Sequence, residues 1–437
     1  MGGSRCDVLV VGGGVCGLWT LWSLLAAGYD AWLLERGALG DGQTIASQGI
    51  LHAGAKYRLP GNAVDASRAV GEVQETWRSA LGGGAGAPDL ARVRVLSRRT
   101  LLWTTGSLGS RLAAAGASRV MRSGVERVER GAWPAGFGGA GAGVELFETA
   151  EMVLDPASLV GVLRDGVSGR ARVGRVTGLG TRDSGVLVGL EGGGRVVCDA
   201  VVLAAGAANE GLIGLAGGRE GLMQRREYEQ VVTLGGGGGW GGGGGGVVGG
   251  GGGGRGGWGG GLGGGGGRGG GLMQRRPLHQ VVAVGAPFDL HGHCLQLSLD
   301  KPALTVTTGE LAGERTWYLG GGPAEEGVGR SREDQIGAAR AALARCLPWV
   351  DLSGVRFETF VIDRAEGENG GKRPDDAVAV WAREGVLAVW PTKLVLAPRA
   401  AGLVLDRLAE RGVRGRGVGG DAFLGSLAEP GVAARVW

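Results

Sequence analysis

The chain opens on an apolar run, CDVLVV, that ends in glycines and passes into VCGLWTLWSLLAAG, where Leu18, Leu21, Trp22 and Leu25 recur at helical spacing until Gly28 stops them. This is the pattern of strand, tight turn and helix. DAWLLE supplies a second strand ending on Glu35, residues 62–81 read as helix and 92–104 as strand. Between 106 and 150, short segments broken by GGAGAG predict an inserted region of less regular structure. Order returns at LDPASLVGVLRD, where Asp155 caps, Pro156 opens and Leu159, Val162 and Leu163 bury one face of a short helix. GRARVGRVTGL, GVLVGLE and RVVCDAVVLAAG follow as strands, the last apolar enough to be buried on both faces. Later come strands LHQVVAVG, LTVTTG and RTWYLGG, a helix near 331–346, strands RFETFVIDR and VLAVW, and a closing helix from about Pro398 to Arg411. Strands and helices alternate at both ends, which predicts an α/β core assembled from separated parts of the chain.

One stretch has no such pattern. Of the 37 residues 235–271, 30 are glycine, too few side chains to offset the entropy of ordering them, so the segment is expected to be a disordered, low-complexity insert. It is flanked by near copies, GLMQRREYEQVV from Gly221 and GLMQRRPLHQVV from Gly271, which match at nine of twelve positions. Only one copy can occupy a native strand, and the second runs on into patterned sequence.

Composition narrows the function. Net charge is +4 from nearly balanced acids and bases, so no surface for nucleic acid is implied. Five widely spaced cysteines without a C-x-x-C pair predict buried thiols rather than disulfides or zinc. Neither a signal segment nor about 18 uninterrupted apolar residues is present, which predicts a cytoplasmic protein with no membrane span. Arginine outnumbers lysine 42 to 4, so each lysine invites a question.

Gly12, Gly14 and Gly17 fit G-x-G-x-x-G, the turn that seats a dinucleotide pyrophosphate on a helix N-terminus. With 98 glycines in 437 residues the spacing alone recurs by chance about five times, so context decides. A buried strand precedes, a helix follows, and Glu35 closes the next strand, where a carboxylate accepts from the adenosine ribose hydroxyls. Instead of further strand-helix crossovers the chain then gives RGALGDGQTIASQGILHAGAKY, a long polar loop that suits a flavin ring carried away from the pyrophosphate.

These residues resemble the FAD-dependent oxidoreductases of the D-amino-acid oxidase and glycine oxidase superfamily. QGILHAGAKY is similar to a loop of its glycerol-3-phosphate and L-2-hydroxyglutarate dehydrogenases, VVLAAGAA to the strand whose Gly206 returns to the FAD, and GVLAVWPTKLVLAPRAAGLVLDRL to the last flavin-binding strand, loop and helix. Where the family often has a Gly-His-x-x-Gly type loop, this chain has Trp390-Pro391-Thr392-Lys393. The resemblance implies a discontinuous Rossmann-like FAD domain (1–84, 151–218, 351–437) and a mixed-sheet α+β substrate domain (85–150, 219–350). It implies that Glu35 holds ribose, that Arg36 and Thr44 lie near adenosine and pyrophosphate, and that Ser47, Gln48 and Gly49 approach the isoalloxazine. It also places the Val176 backbone at the adenine and Pro391, Thr392, Lys393 and Leu394 at the flavin.

Hydride transfer to flavin N5 builds charge near N1 and the C2 carbonyl, where a cation stabilises it. Lys393, before the closing helix, is the candidate. A carboxylate or phosphate on the substrate needs a second cation, from Lys56, Arg364 or Arg373; the alternative for the two arginines is ion pairing with Asp363, Asp375 and Asp376. His52 orients substrate or takes a proton, or else bonds a loop carbonyl. His279 is a further active-site candidate on its strand. His291, His293 and Cys294 lack a second ligand pair, so no metal is expected, and Lys301 reads as a strand start. The expected reaction is oxidation of a small amino acid, secondary amine or 2-hydroxy acid, with oxygen, a quinone or an electron-transfer protein as acceptor. A glycerol-3-phosphate-type dehydrogenase and a catalytically degenerate FAD-binding scaffold are the alternatives.

Overall fold

The computed structural model describes residues 4–52, 64–106, 125–167, 169–182, 185–216, 272–296, 302–417 and 419–435. Strand Ser4–Val11 pairs in parallel with Ala31–Glu35 on one side and with Arg195–Leu203 on the other. Ala31–Glu35 continues in parallel to Ala171–Val173, and Val201–Leu203 pairs in parallel with Val386–Ala388 of strand Val386–Trp390. Numbered 1 to 5 along the chain, these five strands lie in the order 3-2-1-4-5. An antiparallel layer, Val176–Arg182 with Gly185–Leu190, attaches to the first half of Arg195–Leu203.

The stretches Val8–Val11, Ala31–Leu34, Ala200–Leu203 and Val386–Trp390 of these strands are buried on both faces, as their apolar runs require. Val8 and Val10 face one core with Leu18 and Leu21 of helix Val15–Ala26, Leu159 and Leu163 of helix Pro156–Gly166, and Val404 and Leu408 of helix Ala397–Glu410. Leu9 and Val11 face the other core, with Leu179, Val186 and Val188 of the antiparallel layer. Each fully buried aliphatic side chain contributes about 1.5–3 kcal/mol.

A second, eight-stranded mixed sheet runs in the order Arg356–Ile362, Leu278–Val284, Glu314–Gly320, Leu304–Leu311, Gly292–Cys294, Thr100–Trp103, Leu146–Thr149, Val125–Arg127. Helix Arg332–Cys346 covers it, packing Ala339, Leu343 and Cys346 against Val281, Ala283, Trp317 and Leu319. Three short strands, Ile50–Leu51, Met152–Leu154 and Val95–Ser97, form a separate sheet. Among the described residues no helix is long and apolar enough to cross a membrane.

The structure departs from the sequence reading at several points. The strand expected over 92–104 is two strands in different sheets, Val95–Ser97 and Thr100–Trp103, because the chain crosses from one sheet to the other between them. The region expected to be irregular contributes Val125–Arg127 and Leu146–Thr149 to the second sheet. Arg356–Ile362 also belongs to the second sheet, although the sequence division puts 351–437 with the first. Ala87, Leu90 and Val93, from the stretch 85–150, pack in the core of the first sheet. The second copy of the repeat forms strands Met273–Arg275 and Leu278–Val284, while the first copy and the glycine tract lie outside the described residues. All five cysteines are buried thiols.

Asp155 caps helix Pro156–Gly166 as its sequence predicts, accepting from Ala157 N at 3.0 Å and Ser158 N at 3.3 Å. Its other oxygen pairs with Arg435 at 2.6 Å and Arg94 at 3.5 Å. Burial alone would raise this carboxyl, but Arg435, the cap amide and Arg94 outweigh it and hold the group below its ordinary range. Asp155→Ala should therefore cost about 1–2 kcal/mol at neutral pH in urea denaturation. Because the folded carboxyl titrates lower than the unfolded one, this contribution is complete above about pH 5 and fades as pH falls through about 4 and below. A wild-type-to-variant difference that grows on acidification contradicts the assignment.

Candidate active site

Strand Ser4–Val11 ends at Gly12, whose φ of +111° excludes ordinary side chains and where a Cβ would lie 2.6 Å from Ala205 Cα. A Cβ on Gly17 would sit 1.9 Å from the Gly12 carbonyl oxygen, and one on Gly14 would come within 3.1 Å of Thr44 Oγ1. The three glycines thus press the helix start onto the turn and onto the end of strand Arg195–Leu203. Gly14, at the N-cap, offers no capping side chain, and the first turn carries no acidic residue, leaving the positive end of the helix without a carboxylate of its own.

Glu35 closes this turn from the side, accepting from Gly13 N at 2.7 Å and Gly37 N at 3.0 Å. Thr44 Oγ1 accepts from Val15 N at 3.1 Å, Arg36 is exposed, and Gly174 N donates to the Glu35 carbonyl at 2.8 Å, which brings the start of strand Val176–Arg182 beside it. Gly206, at φ +58°, turns the chain beside Gln43. Most of the residues read from the sequence as a nucleotide cradle therefore lie together around a helix N-terminus that carries no carboxylate of its own, a setting that suits an anionic pyrophosphate.

The polar loop runs from this cradle to the second sheet. Gln48 Nε2 donates to the Tyr318 carbonyl at 2.9 Å and approaches Thr307 Oγ1 at 3.4 Å, and a Cβ on Gly320 would come within 2.4 Å of Gln48 Oε1. The Tyr318 hydroxyl donates to the Ala46 carbonyl, and burial raises its ionisation far above the ordinary phenol range. Gly49, at φ +69°, lies where a Cβ would strike the Leu154 carbonyl at 2.0 Å, and its amide donates to Ser47 Oγ at 3.3 Å. Strand Ile50–Leu51 packs against the turn Leu394–Leu396, which brings the stretch after this loop beside the stretch after Trp390–Lys393. There Trp390 is fully buried, Pro391, Lys393 and Leu394 are half-buried, and Thr392 holds φ +60° with its hydroxyl donating to the Asp376 carbonyl at 3.0 Å. Asn209, missed in the sequence, ties the strand ends together: its side-chain nitrogen reaches the carbonyls of Leu203 at 3.0 Å and Val389 at 3.3 Å, and its oxygen accepts from Ala205 N at 2.8 Å.

The polar candidates divide. Lys56 and Lys301 lie outside the described residues. Arg364, half-buried, donates to the Arg276 carbonyl at 3.0 Å and faces Glu325 at 3.5 Å; burial, with Arg373 and Arg276 beside it, lowers its basicity. Arg373 pairs with Glu325 at 3.2 Å, not with the aspartates next to it in sequence: Asp363 pairs with Arg275 and Asp376 with Arg399. His279 is buried with Nδ1 3.0 Å from the Gly327 carbonyl, so its ring is engaged by backbone. His291, pushed down to about 4 by burial, turns Nδ1 toward Thr308 N, while Cys294 faces Cys346, so His291, His293 and Cys294 point apart. His52 instead meets Glu151 and His293, their ligand atoms all within 4.8 Å of one another. Glu151 had no sequence signal, since it stands 99 residues from His52 and 142 from His293.

Fold and cradle together define a nucleotide-dependent α/β protein, and comparison with known proteins names the family. Residues 7–242 match the family model described as DAO, FAD dependent oxidoreductase. The probable FAD-dependent oxidoreductase PA4991 of Pseudomonas aeruginosa is 36% identical over 439 residues, covering 99% of this chain and 97% of its own. Its crystal structure superposes with a TM-score of 0.73 at 31% identity, covering 100% of this chain and 98% of that one. The chain belongs to the DAO family of FAD-dependent oxidoreductases, and its cofactor is FAD. The same fold is seen in glycine oxidase from Geobacillus kaustophilus, with TM-score 0.59, 16% identity and coverage of 93% and 95%. It is seen too in L-alpha-glycerophosphate oxidase from Mycoplasma pneumoniae with FAD bound, with TM-score 0.62, 14% identity and coverage of 98% and 99%.

Gly17→Ala places a methyl 1.9 Å from the Gly12 carbonyl, so the turn must open. The variant should purify with less than about a tenth of the wild-type flavin absorbance per mole of protein while keeping its far-ultraviolet dichroism. Full flavin content would remove Gly17 from the cradle.

Proposed function

We propose that the chain oxidises a small anionic amine, amino acid or 2-hydroxy acid at the C–H beside its nitrogen or hydroxyl, on a discontinuous Rossmann-like FAD domain that faces the second sheet. The observation that carries this reading is the meeting of distant parts of the chain. Strand Val386–Trp390 lies against Val201–Leu203, the Ala46–Gly49 loop is tied to Tyr318, and strand Ile50–Leu51 packs against the turn Leu394–Leu396, which supports a site drawn from the stretches that carry Gln48, His52 and Lys393.

Bound FAD supplies the two-electron acceptor for the C–H hydride, and the substrate carbon becomes an imine or ketone as the nitrogen or oxygen gives up its proton. The glycine turn, Glu35 and Thr44 hold the nucleotide end. Ser47, Gln48 and Gly49 would hold the flavin, with Gln48 fixed by its bond to the Tyr318 carbonyl of the second sheet. Lys393, at the N-terminal side of helix Ala397–Glu410, would supply positive charge to stabilise the reduced flavin. His52 takes the substrate proton. Arg364 anchors the substrate anion: among the described residues, the ion pairs of Arg276, Arg364 and Arg373 are with Glu325 and Glu366, three positive charges against two.

Anaerobic mixing of the yellow protein with amino acids, N-methyl amino acids and 2-hydroxy acids should bleach the flavin with at least one of them. Arg364→Met should raise KM for that compound about tenfold or more with a smaller change in kcat, and Lys393→Met should move the flavin midpoint potential negative by tens of millivolts. A flavin that dithionite bleaches and no compound of the panel does would sink the proposal in favour of a scaffold without turnover.

A further inference from the structure

A proton-accepting histidine needs one ring nitrogen free and the ring held still. In the small sheet, Ile50 pairs with Val153 and Leu51 with Met152, so the antiparallel register sets His52 opposite Glu151. The Glu151 side chain is only 13% exposed, whereas that of His52 is 46% exposed. Glu151 Oε1 lies 3.5 Å from His52 Nδ1, and Oε2 lies 3.4 Å from His293 Nε2. On the far side of its ring, His293 Nδ1 lies 2.9 Å from Thr305 Oγ1. The turn that carries Glu151 is pinned as well: Glu151 N donates to Thr149 Oγ1 at 3.2 Å, and that hydroxyl meets Thr100 Oγ1 at 2.7 Å.

With both rings neutral, one placement of hydrogens satisfies every member. Thr305 donates to His293 Nδ1, His293 Nε2–H donates to Glu151 Oε2, and His52 Nδ1–H donates to Glu151 Oε1. The reverse placement sets a ring lone pair against a carboxylate oxygen on both sides. His52 Nε2 then keeps its lone pair. Burial would raise the Glu151 carboxyl, yet His52 and His293 hold it below the ordinary carboxylate range, so it accepts from both rings across neutral pH.

We propose that Glu151 is a positioning residue, braced by His293, that fixes His52 in the Nδ1–H tautomer and leaves Nε2 unprotonated to take the substrate proton. This rests on the reading of His52 as the proton acceptor. Contacts at the outer limit of hydrogen bonding are where such pairs stand before substrate draws them together. Among the described residues, Glu151 and His293 are the titratable groups that face His52.

The chain has four histidines, so selective 15N labelling of the flavoprotein gives four ring systems, and His52→Asn identifies the one that matters. At a pH where the ring is neutral, wild-type His52 should carry its proton on Nδ1. In Glu151→Gln, whose amide can donate to that nitrogen, the proton should move to Nε2, and flavin reduction by the panel compound that bleaches fastest should fall about 100-fold at little changed KM. Glu151→Asp should recover part of the rate. An unchanged His52 tautomer in Glu151→Gln overturns the proposal, as does a stoichiometric divalent metal lost from that variant, which would make Glu151 a ligand. A wild-type rate in His52→Asn overturns instead the proton-acceptor reading beneath it, and the tautomer shift distinguishes the two failures.

Discussion

The site depends on the two edges of one buried strand. Arg195–Leu203 is paired along one edge with Ser4–Val11. Its other edge is divided, with Gly185–Leu190 on the first half and Val386–Ala388 on the second. Ala200 to Leu203 are fully buried, so every backbone amide there must find its partner in a neighbouring strand. A slip of one residue would exchange the two faces and put Val202 where Val201 packs. Register is therefore fixed, and with it the approach of Ala205 to Gly12 and of Leu203 to Val389, which Asn209 then stitches together.

The second constraint lies across the two large sheets. Loops that carry function usually run free over a surface. Here the Ala46–Gly49 stretch is held at both ends of its path: its backbone receives the Tyr318 hydroxyl and the Leu154 amide, and its Gln48 side chain reaches the Tyr318 carbonyl. The close approaches at Gly49 and Gly320 leave no room for side chains, the first against the Leu154 backbone and the second against the Gln48 side chain. A cofactor resting on this loop would be registered against the second sheet by the same bonds.

What could be read from the sequence follows from how local each signal is. The strand–turn–helix around Gly12–Gly17, the Asp155 cap and the strand Arg195–Leu203 are written in a few consecutive residues, and as local structure all three are found where the sequence puts them. The division of 92–104 between two sheets was invisible, because residue type does not say where a chain changes partners. Histidine signals were the least legible. His291, His293 and Cys294 are adjacent in sequence yet face different neighbours, while His52, Glu151 and His293 meet from three separate strands or turns. His279 looked free on a strand and is closed off by the Gly327 carbonyl. Spacing along a strand reports which face a residue takes, not what waits on the other side.

Charge shows the same dependence on what is buried. Glu366 is 1% exposed, and a carboxylate buried that deeply needs a partner, so Arg276 at 3.2 Å is committed to it before any ligand arrives. Glu325 takes contacts from Arg276, Arg364 and Arg373, at 4.0, 3.5 and 3.2 Å. On the proposed reading an anion at Arg364 would compete with Glu325 for the same guanidinium, and among the described residues its attraction would come from the one positive charge that these arginines carry beyond Glu325 and Glu366. Arginine suits such a place because its planar fork can face a glutamate on one edge and a carboxylate on another. On the proposed reading, discrimination among small acids would then be set as much by where Glu325 holds that fork as by the arginine itself.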